Sequence, residues 1–348
     1  MILPDYKSMR LAARKLYFLR SPSKHMDLQA LAKEIRSFEG VIRKKDIGVL
    51  VRALEGTYDA RILAGFGEDA GVIDLGKNRV MLLSTDSIWH KIVERDPWWA
   101  GYCSVIVNIN DILAMGGRPI AMVDVIAGQK NFCEKVALGM REASEKYGVP
   151  IVGGHLHPDS PYTSVEVAII GEASRESVIY SHTAREGDII VVAVDLEGRF
   201  HPKFPLNWDS ITSKSRREIR ERIAAIQELA SKKLASSGKD ISNPGIIGTL
   251  GMLCEASGIG AVVDLTKLPK PRKVEMSQWL KVYPGFGFVL TAEEKNVDAI
   301  LEVFRHRGVD VEVVGRIESS SEIKISDGRR EEVVFNLKKE PIMGLPPF

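Results

Sequence analysis

Apolar positions along the chain recur with two periods, and the alternation between them lays out the predicted elements. Leu28, Leu31, Ile35 and Phe38 fall on one stripe behind Asp27, which predicts a capped helix from Asp27 to about Phe38. A second helix is expected over Val41–Glu55, with a basic RKKD turn near its start. The runs GVIDL and RVMLLSTD flank GKN, the pattern of a hairpin. Asp96-Pro97 signals a helix start, because proline is tolerated in a first turn. That helix is expected from Trp98 to Met115, stopping at Gly116-Gly117. A strand over Pro119–Ala127, a helix over Asn131–Tyr147, a short strand over Pro150–Val152 and a longer one over Thr163–Glu172 follow.

The pattern breaks over Ala173–Gly187, which reads as a domain junction. Beyond it come a buried strand (Asp188–Val194), a charged helix (Lys214–Ser236), a helix over Gly245–Ala256 and a strand over Gly260–Leu265. A strand at Gly287–Thr291, a helix at Glu293–His306, and strands at Val309–Ile317 and Glu331–Phe335 complete the set. The closing GLPPF is expected to be a surface extension. The expectation is a two-domain α/β (α+β) chain: an N-terminal extension over 1–26, a first domain over 27–175 and a second over 176–348.

Charge and composition narrow the function classes. Lys plus Arg number 48 against 46 Asp plus Glu, a net of +2, without the positive field that bulk nucleic-acid or anionic-membrane binding needs. No apolar run reaches the roughly 18 residues of a membrane span. The basic start lacks a clean apolar stretch and a cleavage site, so a cytoplasmic protein is expected. Cys103, Cys133 and Cys254 are far apart and form no CxxC pair, which fits reduced core residues.

Four acidic signals carry the candidate chemistry. GEDAG sets Gly67, Glu68 and Asp69 where a backbone can approach a phosphate closely, although it reads equally as a tight turn before a strand. STD puts Asp86 at a strand end. In NINDILAMGGRP, Asn108 and Asp111 lie three apart on a helix, and Asp111 sits in an otherwise apolar stretch where an unpaired carboxylate costs several kcal/mol. KDISNPG offers Asp240 and Asn243 ahead of a helix, which Asn243 could also simply cap. Carboxylates gathered from separate segments suit Mg2+ bound with substrate phosphates. In GGHLHPDSP, Gly153 and Gly154 precede His155 and His157, which point to one side of an extended segment. With Asp159 they could form a metal-dependent hydrolase site, but zinc needs further ligands and a substrate-contacting loop is the preferred reading.

In this order, GEDAGVI, LLSTD, VNINDILAMGGRPIA, GGH, DISNPGIIGTL and YPGFGFVLTA resemble the AIR synthase (PurM-like) superfamily from about Asp27 to the C-terminus. The resemblance implies a PurM-like two-domain fold, with first domains pairing into a dimeric β-barrel and an α+β second domain. It implies ATP and Mg2+ as cofactors, a small-molecule substrate and a homodimer. Asp69, Asp86, Asp111 and Asp240 would be the metal and phosphate set. Gly67, Glu68, Asn108, Gly153, Gly154 and His155 would hold or orient nucleotide or substrate, and Lys91 would screen phosphate charge. The RKKDIG turn, with Lys44 and Lys45, is a candidate substrate device of this branch.

Departures from the pattern narrow the activity. Selenophosphate synthetases carry a catalytic Cys or selenocysteine upstream of GEDA, whereas the first cysteine here is Cys103. TDSIWHK stands where aminoimidazole ribonucleotide synthetases have TDGVGTK, and thiamine-monophosphate kinases have an acidic residue where His155 stands. A phosphotransferase similar to thiamine-monophosphate kinase is the leading expectation. A ligase similar to aminoimidazole ribonucleotide synthetase, or a nucleotide-binding regulator without turnover, are the alternatives.

Overall fold

A computed structural model describes residues 26–54 and 56–345. The expected N-terminal extension therefore lies outside the described residues, except for Met26, whose carbonyl accepts from Arg330.

The helices are α1 (Leu28–Arg36), α2 (Glu39–Ile42), α3 (Ile47–Leu54), α4 (His90–Arg95), α5 (Pro97–Ala114), α6 (Lys130–Tyr147), α7 (Arg216–Ser231), α8 (Gly245–Ser257), α9 (Met276–Trp279) and α10 (Glu294–His306). The first sheet holds β1 (Ile62–Ala64), β2 (Gly71–Gly76), β3 (Arg79–Ser87), β4 (Arg118–Ala127), β5 (Ile151–His157) and β6 (Ser164–Ser174), in the order β1-β2-β3-β6-β4-β5. Only β4 and β5 run parallel in it. The second half begins with β7 (Ile189–Val194) and a small hairpin of β8 (Arg199–His201) and β9 (Phe204–Asp209). Then come β10 (Ser237–Asp240), β11 (Gly260–Asp264), β12 (Gly287–Ala292), β13 (Asp310–Glu318), β14 (Glu322–Ser326) and β15 (Glu331–Asn336). The second sheet has the order β10-β12-β7-β13-β11-β14-β15.

Alternation explains the first sheet. Val80, Leu82, Val165, Val167 and Ile169 point inward onto α5, where Ile106, Ile109, Ile112 and Leu113 are fully buried. The opposite positions, including Leu83, Val123, Val125 and Ile170, leave an apolar face open to solvent. This sheet is open within the described residues, so one chain does not close the expected barrel. Helix α5 starts as its sequence predicts: Asp96 accepts from the Trp99 N–H and Pro97 occupies the first turn. Its packing on α6 depends on Gly101, where a side chain would meet the Val136 carbonyl at 2.1 Å.

Several expectations shift. The RKKD segment is not a turn but a 3-10 helix between α2 and α3. Helix α1 was expected with the first domain, but Leu28, Leu31 and Ile35 pack into the core on the second sheet, and Arg36 donates to the carbonyls of Val333 and Val334. The strand expected over Pro150–Val152 continues to His157, because β4 offers an unpaired parallel edge. Helix α7 spans Arg216–Ser231 rather than Lys214–Ser236, with a Ser215–Glu218 capping box at its start. The tail is no loose extension as far as Leu345. Buried Glu255 accepts from the backbone N–H groups of Ile342, Met343, Gly344 and Leu345, and the Met343 carbonyl accepts from Gly48.

Candidate active site

Four backbone junctions aim acidic side chains into one cleft of about 580 Å³. The GEDAG turn, with Gly67 at φ 101°, presents Asp69 just ahead of β2. Strand β3 carries Asp86 near its end, and Asp86 Oδ1 accepts from the Ser87 N–H at 2.7 Å. The last turn of α5 supplies Asp111, which accepts from Ser84 Oγ at 2.5 Å. Asp240 ends β10, in the second sheet. Asp69, Asp111 and Asp240 each offer an oxygen, and these oxygens lie within 4.8 Å of one another. Asp86 lines the same cleft outside that cluster.

Two lysines share this space. Lys239 is buried beside Asp240; its ammonium contacts the Asp69 carboxylate and lies 3.4 Å from the Gly67 carbonyl. The Asp240 N–H also donates to Asp69, at 3.3 Å. Lys44, from the 3-10 helix, lines the cleft as well. Burial pulls Lys44 below the usual lysine range, against the attraction of Asp86. For Lys239 burial acts the same way, but Asp69 outweighs it and keeps the ammonium charged. Burial pushes Asp69 upward while Lys239 pulls it down; the ammonium in direct contact decides for an ion pair.

The remaining carboxyls are held up. Asp111 stands well above the usual range through burial and then through Asp240, Asp69 and Asp86. Asp240 is pushed up to about 8 by burial and by Asp69, against the pull of Lys239. Asp86 opens to the cleft on its surface, yet the surrounding protein desolvates it enough to raise it. Carboxyls brought this close repel one another when ionised, and a hard divalent cation ligated by their oxygens relieves that repulsion. The donor set therefore fits Mg2+, with Asp69, Asp111 and Asp240 as the residues to hold it.

Other expected residues lie elsewhere. Glu68 borders the cleft, but its carboxylate accepts from Ser181 N–H at 2.6 Å and meets His182 Nδ1 at 2.5 Å, tying the turn to the segment between β6 and β7. Asn108 does not line the cleft: the stripe of α5 that does runs through Cys103, Val107, Asn110 and Asp111. Asn108 is buried, and its Nδ2 donates to Ser104 O. Lys91 lies outside the cleft, 3.6 Å from Glu39 and over the Trp89 ring at 4.2 Å. Lys45 is exposed and does not line the cleft either. Gly153, Gly154 and His155 sit exposed on edge strand β5, away from the cluster. His155 and His157 do share a side, with ring centroids 4.6 Å apart. Among the described residues, no side chain caps α8, and Asn243 Oδ1 is buried without a hydrogen-bond partner. The sequence reading missed Lys239; a lysine directly before the Asp of a strand-ending KDIS was the available signal.

Comparison with known proteins bears on family and fold. Residues 67–173 match the family described as "AIR synthase related protein, N-terminal domain", and residues 197–328 match its C-terminal domain. The uncharacterized protein MJ0640 of Methanocaldococcus jannaschii is 45% identical over 92% of this chain and all of its own length. Thiamine-monophosphate kinase of Pyrococcus abyssi is 28% identical, over 80% of this chain and 91% of that protein. The solved structure "T. maritima PurL complexed with ADP" superposes with a TM-score of 0.72 at 21% identity, over 95% of this chain and 54% of that one. The chain thus spans about half the length of that PurL, and the likeness speaks to fold.

Proposed function

This chain belongs to the AIR synthase related, PurM-like proteins, and on that premise we propose that it binds Mg-ATP in the cleft and transfers the terminal phosphoryl group to a small molecule. The observation that carries the reading is the convergence of Asp69 from a turn, Asp111 from α5 and Asp240 from β10 within 4.8 Å, with Lys44 and Lys239 in the same cleft. Its volume of about 580 Å³ falls within the roughly 300–1,000 Å³ typical of small-molecule sites. Relatives add support: one is a thiamine-monophosphate kinase, and a fold neighbour was solved with ADP.

In this reading the bound ion supplies neutralisation of phosphate charge, and the chain supplies position. Asp69, Asp111 and Asp240 hold the ion, Asp86 assists at the rim, and Lys44 faces the phosphates. Phosphoryl transfer breaks the bond to the ADP oxygen, which keeps the electron pair, and forms a bond to the acceptor. With the domains divided at 175/176, the cluster would lie on their seam, with Asp69 and Asp111 from one side and Asp240 from the other. The open apolar face of the first sheet, with Val123, Val125 and Ile170 exposed, is where a second copy would pair to complete a barrel. That pairing would also cover His155, which would then serve the partner's site rather than its own.

One observation favours a second reading, a nucleotide-binding regulator without turnover: Lys239 already occupies one oxygen of Asp69, as a resident cation would. Thermal denaturation with ATP and Mg2+ tests the first claim, since a ligand of the native state must raise Tm. No shift at millimolar Mg-ATP refutes the nucleotide site. ATP consumption that begins only on addition of one metabolite refutes the regulator.

A further inference from the structure

A side cavity of about 220 Å³ adjoins the cleft and shares Arg43, Trp89, Ile92, Asn243 and Tyr283 with it. It lies below the roughly 300–1,000 Å³ usual for drug-sized ligands, so it suits something smaller than a nucleotide. Its body is apolar, with Phe38, Ile92, Phe204 and Leu206 in the wall. Its charged groups are nearly all basic: Arg43, Lys91, Arg95 and Lys203 against Glu39 alone.

The existing contacts do not use up this charge. Glu39 is 3.6 Å from Lys91, and both side chains are about half exposed. Lys203 is held by Asp96 at 2.8 Å. Among the described residues, neither Arg43 nor Arg95 has a carboxylate within ion-pair distance. Two cations lie over the Trp89 indole, Lys91 Nζ at 4.2 Å and the Arg43 guanidinium at 5.9 Å from its centroid. Lys91, Arg95 and Lys203 line only the side cavity, so these cations are not placed for phosphates held at the acidic cluster. At the shared wall, Asn243 Oδ1 is buried and lacks a hydrogen-bond partner among the described residues. A buried amide oxygen left unpaired is costly, and a ligand's hydroxyl or amine would pair it.

We propose that this side cavity holds the acceptor of the cleft's reaction, and that the acceptor is a small organic anion. Its phosphate or carboxylate lies between Arg95 and Arg43, its apolar body packs on Trp89 and Phe204, and a hydroxyl or amine meets Asn243 on the side facing the carboxylates. Guanidinium groups suit this because their planar fork binds either anion in two-point fashion. The inference rests on the reading of the cleft as a nucleotide site.

The test is calorimetric titration of the full-length protein with phenyl phosphate, benzoate and, as the neutral control, phenol. Mg-ADP is titrated separately. Phenyl phosphate or benzoate is expected to bind, phenol not, and whichever anion binds more tightly identifies the anionic group. Arg95→Met and, independently, Arg43→Met should weaken that binding about tenfold, the scale of one lost charge-assisted contact. Circular dichroism identifies any variant that fails to fold, and the other then decides. No binding of either anion, equal binding of phenol, or unchanged affinity in both folded variants would overturn the proposal. Anion binding without Mg-ADP binding would keep the anion pocket and remove the nucleotide reading instead.

Discussion

Replacing Asp111 by Asn should stabilise the empty protein and abolish its response to Mg-ATP. The ligand oxygens of Asp69, Asp111 and Asp240 lie within 4.8 Å of one another. Two unit charges at that distance repel by about 3.5 kcal/mol at an effective dielectric constant of about 20. Lys239 offsets Asp69, which leaves the Asp111–Asp240 pair as the main uncompensated repulsion. Protons relieve it at low pH, because Asp240 titrates at about 8 rather than near 3.8. A carboxyl raised in the folded state binds more protons there than in the unfolded chain. The wild-type empty protein therefore loses stability as pH rises from about 4 towards about 8, and the loss is complete above that. Asn keeps an acceptor for Ser84 Oγ but adds no charge. At about pH 9 the variant should exceed wild type by about 2–3 kcal/mol, or several degrees in Tm, and the gap should close by about pH 5. Scanning fluorimetry across that range, with and without Mg-ATP, reads both effects. A variant less stable than wild type at every pH would make Asp111 a structural acceptor. A retained Mg-ATP shift would remove it from the ligand set.

Two further substitutions address other parts of the argument. Lys239→Met strips the counter-ion from Asp69, and breaking a buried pair from one side costs about 3–5 kcal/mol. The empty variant should melt earlier and recover with millimolar Mg2+ alone; unchanged stability would show the contact to be incidental. Val125→Glu puts a charge on the open face of the first sheet. Light scattering should find a dimer for wild type and a monomer for the variant, and equal masses for the two would exclude that face as the pairing surface.

Local rules made much of the first half legible. The β2–β3 hairpin follows from two apolar runs around GKN, where Lys77 and Asn78 both take positive φ. Helix α5 follows from Asp96-Pro97 at one end and paired glycines at the other. The acidic cluster was legible as a set of motifs, because each Asp stands at an element's end or interior where its side chain must be used. What local rules do not carry is long-range pairing. Strand β10, SGKD, has no apolar alternation, and only its bonds to β12 make it a strand. The Glu255 clasp on the tail joins residues about 90 positions apart and leaves no local trace. Asn108 and Asn110 are equally polar neighbours, and the rotation of α5 in its socket decides which one meets the cleft.

The contact of Lys239 with Asp69 also bears on how this architecture can be taken apart and recombined. The acid comes from the turn before β2 and the base from β10 of the other sheet, so each half carries an unbalanced buried charge without its counterpart. A chimera that grafts one half onto a relative's half lacking the matching residue would leave a buried ammonium or carboxylate without its direct partner. Positions 69 and 239 are thus a compatibility pair: they travel together or the hybrid interior is mismatched, however well the two backbones superpose.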